Sequence, residues 1–163
     1  MRNKHVLHMV QAALIAAMYV VLTWVANLLR LANGVIQVRF SEALTILPFF
    51  TPAAIPGLFI GCLIGNILGG AILPDIIFGS IATLIGAFFT WKLREKSPYL
   101  APVPPIIANI LIVPFVLRYG YGVALPIPFM TCTVGIGEII SCAVLGMVLY
   151  FALKKYAKTL FAQ

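Results

Sequence analysis

Hydrophobic residues run along this chain in long unbroken stretches, and each stretch ends at prolines, an acid or a short basic cluster. The first covers about Val6 to Leu29. After the polar loop RLANGVIQVR, the uncharged stretch from Ala43 to Leu73 is too long for one crossing and contains Pro48, Pro52 and Pro56. It predicts a short helix near Ser41 to Phe50 and a longer one near Ala54 to Leu73, paired as a tight hairpin. Asp75 opens a fourth stretch, about Ile76 to Trp91, where an acid in the first turn complements the helix dipole. The basic loop KLREK follows, then a fifth stretch, about Ala101 to Leu117, with Pro102, Pro104, Pro105 and Pro114. A sixth, about Pro128 to Leu153, runs up to KKYAK. A hydrocarbon core of roughly 30 Å takes about 20 helical residues to cross. The second stretch, at about ten residues and roughly 15 Å, is the short one and suits a re-entrant or interfacial position.

Composition turns these stretches into a class. With 63% hydrophobic and 9% charged residues and a mean hydropathy of +1.10, the chain reads as an integral membrane protein and not a soluble domain. Lipid offers backbone groups no hydrogen-bond partners, so spanning segments are helices or a closed barrel, and barrel strands would alternate apolar and polar residues. These stretches do not alternate. The expected fold is all-α: one domain over residues 1–163, a bundle of six transmembrane helices, multi-pass in the cell membrane.

The net charge of +7 does not point to nucleic acid, because Lys and Arg sit in small clusters at the ends of apolar stretches and not on one wet face. A cytoplasmic N-terminus puts eight of them inside (Arg2, Lys4, Lys92, Arg94, Lys96, Lys154, Lys155, Lys158) and three outside (Arg30, Arg39, Arg118), so both termini are expected in the cytoplasm. The basic start resembles a signal peptide, but its apolar stretch continues for about twenty residues, longer than an ordinary h-region, and is read as a first membrane helix. Cys62, Cys132 and Cys142 lie inside apolar segments without metal-ligand spacing, which suggests packing and no metal site. The two halves show no matching hydropathy, and no P-loop is present. Uphill movement would need energy from another chain.

Small residues recur at four-residue spacing: Ala12 with Ala16 and Ala13 with Ala17 on the first stretch, and Gly57, Gly61, Gly65 and Gly69 on the third. Residues four apart share a helical face, and small ones let another backbone approach closely. The glycines are read as intramolecular packing. The alanines suit either packing or the docking of a partner.

Against so much apolar sequence the segment VRFSEAL stands out, with Arg39 and Glu42 three residues apart. Asn66, Asp75, Asn109 and Glu138 complete the polar set at membrane depth. An ionised side chain at mid-bilayer costs from about 2.5 to well over 10 kcal/mol, so an acid there faces a wet cavity, a partner or a ligand. With the outside end assigned as above, Arg39, Glu42 and Asp75 fall toward the exterior and Asn66 in the outer half of its helix. Glu138 lies about ten residues in from the outer end. The set converges on an outward-facing pocket, with Phe40, Tyr119, Tyr121, Phe129, Tyr19 and Trp24 available as its aromatic roof. The plainer alternative for Arg39 and Glu42 is a local ion pair, worth a few tenths of a kcal/mol when exposed. Asn109 could equally bond a neighbouring helix.

Three motifs carry a resemblance: IQVRFSEALTILPFF at Ile36 to Phe50, GNILGG at Gly65 to Gly70, and DIIFGSIATLIGAF at Asp75 to Phe88. With the length, the six stretches and the alanines of the first, the chain is similar to the QueT family of substrate-binding (S) components of energy-coupling factor transporters. The last third, from Pro102, matches by hydropathy and Glu138 alone. The resemblance implies a subunit that is not an enzyme and has no cofactor. It would bind a queuosine precursor, an aminomethyl 7-deazaguanine (preQ1) or queuine-like base, at the outer face with high affinity. It further implies delivery through a transmembrane coupling protein of the EcfT type and two cytoplasmic ATPases, the S component toppling in the membrane and docking through Ala12, Ala13, Ala16 and Ala17.

The chemistry of such a ligand suits the residues present. A guanine-like ring offers adjacent N–H donors to a carboxylate, the amine calls for a second acid, and stacking on a ring adds roughly 1 to 3 kcal/mol. Glu42 and Glu138 are the leading acids and Asp75 the reserve. Asn66 and Asn109 would read the base edge, Arg39 would orient Glu42 or gate the site, and Phe40, Tyr119 and Tyr121 would cover it. Which acid takes the ring and which the amine stays open. The competing classes are an S component for another vitamin-like ligand, a small proton-coupled transporter or exporter built on one buried acid, and a membrane enzyme. The last lacks clustered metal ligands or a nucleophile with a base.

Overall fold

The computed structural model describes residues 3–32 and 35–161, and its regular elements are all helical. Helix α1, Lys4–Leu28, is capped by Asn3, whose side chain accepts the His5 amide at 3.2 Å. A 3₁₀ segment, Phe40–Phe49, leads to α2, Ala54–Leu68, and α3, Leu73–Leu93. Helix α4, Val103–Phe115, runs on through a π-type turn, Val116–Gly120. The last long rod joins α5, Ile127–Glu138, a π stretch, Ile139–Leu145, and α6, Gly146–Lys154, before the short α7, Ala157–Leu160. Among the described residues four helical segments are long and apolar enough to cross a membrane: Lys4–Leu28, Leu73–Leu93, Pro98–Gly120 and Ile127–Lys154. Phe40–Phe49 and Ala54–Leu68 are shorter apolar helices, so all six expected stretches are helical.

The second stretch is drawn out where an α-helix was expected. Pro48 lacks the N–H that an α-helical bond would need, and the Thr45 hydroxyl donates to the Glu42 carbonyl at 2.6 Å, competing with the backbone ladder. At about 2 Å per residue its ten residues reach roughly 20 Å, longer than the 15 Å an α-helix would give. Helix α2 stops at Leu68, five residues short of the expected end, because Gly70 takes a positive φ of 74° and the Ala71 amide bonds back to the Asn66 carbonyl at 3.0 Å. Helix α3 then starts early, at Leu73, with Pro74 in its first turn.

Because the 3₁₀ segment carries the chain back, α1 and α2 run parallel, and their small residues meet. A side chain on Gly57 would collide with the Ala12 carbonyl oxygen at 2.7 Å, and one on Gly61 with Tyr19 Cβ at 2.7 Å and Ala16 Cα at 3.0 Å. Farther along, Gly65 faces Thr23 and Gly69 faces Asn27. The glycine stripe is therefore intramolecular packing, and Ala12 and Ala16 belong to it. Ala13 and Ala17 are exposed on the adjoining face of α1.

Lys4 at the start of α1, Lys92, Arg94 and Lys96 around the end of α3, and Lys154, Lys155 and Lys158 at and beyond the end of α6 fall at one end of the bundle. Arg2 lies outside the described residues. That end is plugged by Phe50, stacked between Tyr150 and Phe161 at centroid distances of 5.5 and 5.6 Å. Gln11 fastens the plug, donating to the Leu160 carbonyl and accepting from Thr51. The ends of α1, α2 and α4 and the start of α3 lie at the opposite end.

Candidate functional site

The site depends on how the chain enters the 3₁₀ segment. The Arg39 amide donates to Ser141 Oγ at 3.1 Å, and Ser141 donates to the Gly137 carbonyl at 2.8 Å. Any side chain at Gly137 would run into the Gln37 carbonyl oxygen, so glycine is what lets residues 37–39 sink against the last rod. The π stretch beginning at Ile139 presents Ser141 and Cys142 at this crossing, and such irregularities cluster at functional positions.

Glu42 is thereby carried deeper than its place in the sequence suggests. It is 0% exposed and level with the middle of α1, where the Tyr19 hydroxyl donates to its Oε1 at 2.6 Å. Its Oε2 is buried and accepts nothing. Glu138, 5% exposed at the end of α5, accepts from Asn109 Nδ2 at 3.1 Å and from Cys142 Sγ at 3.3 Å, both on Oε2. One carboxylate oxygen from each acid and the Cys142 sulfur lie within 4.8 Å of one another, close enough to hold a small cation or metal ion together. Sequence spacing gave no hint of this grouping, since Glu42 comes from a different element.

Above the pair, toward the end bearing Arg30 and Arg118, is a cavity of about 400 Å³ lined by Tyr19, Asn27, Arg39, Asn66, Asp75 and Tyr121, among others. That volume suits a small-molecule ligand. Asp75, in the first turn of α3, accepts the Tyr121 hydroxyl on Oδ2 at 2.8 Å, and Asn66 donates to its backbone carbonyl at 3.4 Å. Burial and the bond to Asp75 raise the pKa of the Tyr121 phenol above its ordinary value, so it stays a donor. Burial alone would weaken the charge on Arg39, but attraction to Asp75, Glu138 and Glu42 more than offsets it, and the guanidinium is held firmly protonated.

The expected residues divide into two layers. Arg39, Asn66, Asp75 and Tyr121 line the cavity, while Glu42, Glu138 and Asn109 form the buried cluster beneath. The local ion pair does not form. Among the described residues the ion pair within 4.0 Å is Arg94–Glu95, and the Arg39 guanidinium donates to Gln37 Oε1 at 3.4 Å. Tyr119 points away, 77% exposed and stacked on Phe115, and Phe40 is half-buried off the cavity wall. Trp24 and Phe129 also face outward, which leaves Tyr19 and Tyr121 as the rings at the cavity. Gly137, Ser141 and Cys142 were not foreseen. The only signal for Cys142 was its place four residues after Glu138, one turn along a helix.

The family model for the QueT transporter matches residues 9–155. The chain belongs to the QueT transporter family. It is also similar to a queuosine precursor transporter QueT of Lactococcus lactis subsp. cremoris (strain MG1363), 36% identical over 85 residues, or 52% of this chain and 50% of that protein. The match thus spans about half the length of that curated relative. No solved structure matches. The chain has a polar, ligand-sized cavity among apolar helices.

Proposed function

We propose that this chain is the ligand-capturing membrane subunit of an energy-coupling factor importer for a queuosine precursor, an aminomethyl 7-deazaguanine or a close relative. The observation that carries the reading is the two-layered site: a cavity of about 400 Å³ walled by Asp75, Asn66, Arg39 and Tyr121 over a buried pair of acids. A guanine-like ring presents adjacent N–H donors and its side chain an ammonium, so it asks for two separate carboxylate positions. The name of the Lactococcus relative supports the same substrate class.

In this reading six segments cross the cell membrane and both termini are cytoplasmic, so the cavity faces outward. Energy comes from two ATPases on a coupling protein, which meets the exposed Ala13–Ala17 face of α1. Ala12 and Ala16, consumed in packing against Gly57 and Gly61, are withdrawn from that surface.

Binding of an aminomethyl 7-deazaguanine, queuine, guanine and riboflavin to purified protein tests the substrate. The first two should bind tightly and riboflavin not at all; indifference to every deazapurine would remove the assignment. Glu42→Gln and Glu138→Gln should each cost about 1 to 3 kcal/mol of binding, as when a hydrogen bond to a charged group is lost. Accumulation in cells should require the ATPases, whereas accumulation or export without them would favour a proton-coupled transporter.

A further inference from the structure

Three carboxyl groups surround the site, with Asp75 on the cavity wall and Glu42 and Glu138 beneath it, and the cation among them is Arg39. No lysine lines the cavity among the described residues. One guanidinium cannot balance three carboxylates, and buried charge persists only when it is compensated. Two buried carboxyls this close either keep a proton or take up a cation, so the pair can accept one positive charge from a ligand.

The two layers also differ in room. Asp75 borders a cavity of about 400 Å³, with Asn66 beside it and the Tyr121 hydroxyl already on its Oδ2. A fused two-ring base fits there, with an acceptor and an amide at its edge. Around Glu42 and Glu138 the packing is tight, with Tyr19, Asn109 and Cys142 in direct contact with the two carboxyls. A planar ring would have to displace those groups. What the lower layer lacks is a single donor, since Glu42 Oε2 is fully buried and unpartnered. Tyr19, Arg39 and Ser41 line the cavity, and Tyr19 is itself bonded to Glu42, so the pair lies one layer of side chains below the cavity floor. An ammonium on a short stem asks for less room than a ring, and the group it would have to move aside to reach Glu42 is the Tyr19 hydroxyl.

We propose that the ligand is held ring outward and amine inward: Asp75 and Asn66 read the base edge in the cavity, and the Glu42–Glu138 pair takes the positive amine and selects for it. The assignment rests on the deazaguanine reading above and decides which acid serves which end of that ligand.

The test compares an aminomethyl 7-deazaguanine with 7-deazaguanine lacking the side chain, on the purified wild-type protein and on Glu138→Gln, Glu42→Gln and Asp75→Asn, each with and without chelator. Wild type should prefer the amine-bearing base by about ten- to a hundredfold, the range expected of a hydrogen bond between charged groups. Glu138→Gln and Glu42→Gln should erase that preference by weakening the amine-bearing base alone. Asp75→Asn should weaken both bases in parallel and keep the preference. The opposite pattern, with preference lost in Asp75→Asn and kept in Glu138→Gln, would reverse the orientation, and equal losses in all variants would abolish the division of labour. Should one of the two glutamate variants fail to fold, the other decides. A preference that vanishes on chelation would put a metal ion between the acids and overturn the amine assignment. If wild type binds neither base, the deazaguanine reading itself has failed, a result distinct from any of these.

Discussion

Gly137 sets the depth of the residues that matter most. Its missing side chain lets the Gln37 carbonyl pass against the last rod, and the Arg39–Ser141 bond then fixes where the 3₁₀ segment begins. Gly137→Ala should push residues 37–39 away and pull Glu42 off Tyr19. The expected outcome is a loss of ligand affinity of about tenfold or more. The melting temperature should fall by no more than overpacking of about 1 to 3 kcal/mol explains. Titrating ligand and melting the same preparation separates the two effects; unchanged affinity would show that the crossing is not what positions the acids. At this scale the sequence was informative where chemistry was scarce. Acids in fat announce themselves, so Glu42, Asp75 and Glu138 were legible. That Glu42 and Glu138 sit in a tight cluster beneath the cavity, and not on its wall, was not, because it depends on a glycine that looks like any other small residue in an apolar run. Tyr119, too, was indistinguishable from Tyr121 until the π-type turn at Val116–Gly120 set them on different sides.

Hydropathy located the helical stretches because an uncharged run of that length has few other folds in lipid. It could not show the 3₁₀ and π geometry, which follows from contacts such as Thr45 on the Glu42 carbonyl and Ser141 on the Arg39 amide. Nor could spacing divide the alanines, since adjacent four-residue stripes on α1 look alike until α2 is placed beside one of them. The structure divides them, and the two halves should respond differently. Gly61→Leu drives a branched side chain into Tyr19 Cβ and the Ala16 backbone and should prevent folding, seen as loss of a monodisperse detergent-solubilised species. Ala13→Leu with Ala17→Leu adds bulk to an exposed face and should leave ligand binding and melting temperature as in wild type. Co-purification with the coupling protein should be lost. Intact assembly in the double variant would move the docking face elsewhere, and loss of folding would show that the face is internal.

For the molecule as a whole, the two ends of the bundle are chemically unlike. One gathers the lysines and is closed by Phe50, Tyr150 and Phe161; the other carries the cavity, with Arg39 in its wall and Arg30 and Arg118 at the same end. Clusters of Lys and Arg favour the cytoplasmic side, so in the proposed topology the cavity faces outward and the plugged end lies inside. An importer needs that arrangement, because a site open only to the cytoplasm would capture ligand that has already arrived. The orientation can be read from single cysteines in a Cys132→Ser background, where the remaining Cys62 and Cys142 are buried. Leu125→Cys sits in the exposed loop between α4 and α5 at the cavity end, and Lys158→Cys in the exposed tail beyond α6. A membrane-impermeant maleimide should label Leu125→Cys on intact cells and Lys158→Cys only after permeabilisation. Labelling of both from outside would mean that the last rod, Ile127–Lys154, does not cross, because the two positions bracket that segment alone. Labelling of Lys158→Cys alone would invert the molecule, and with its cavity toward the cytoplasm the capture of a precursor from outside could not stand.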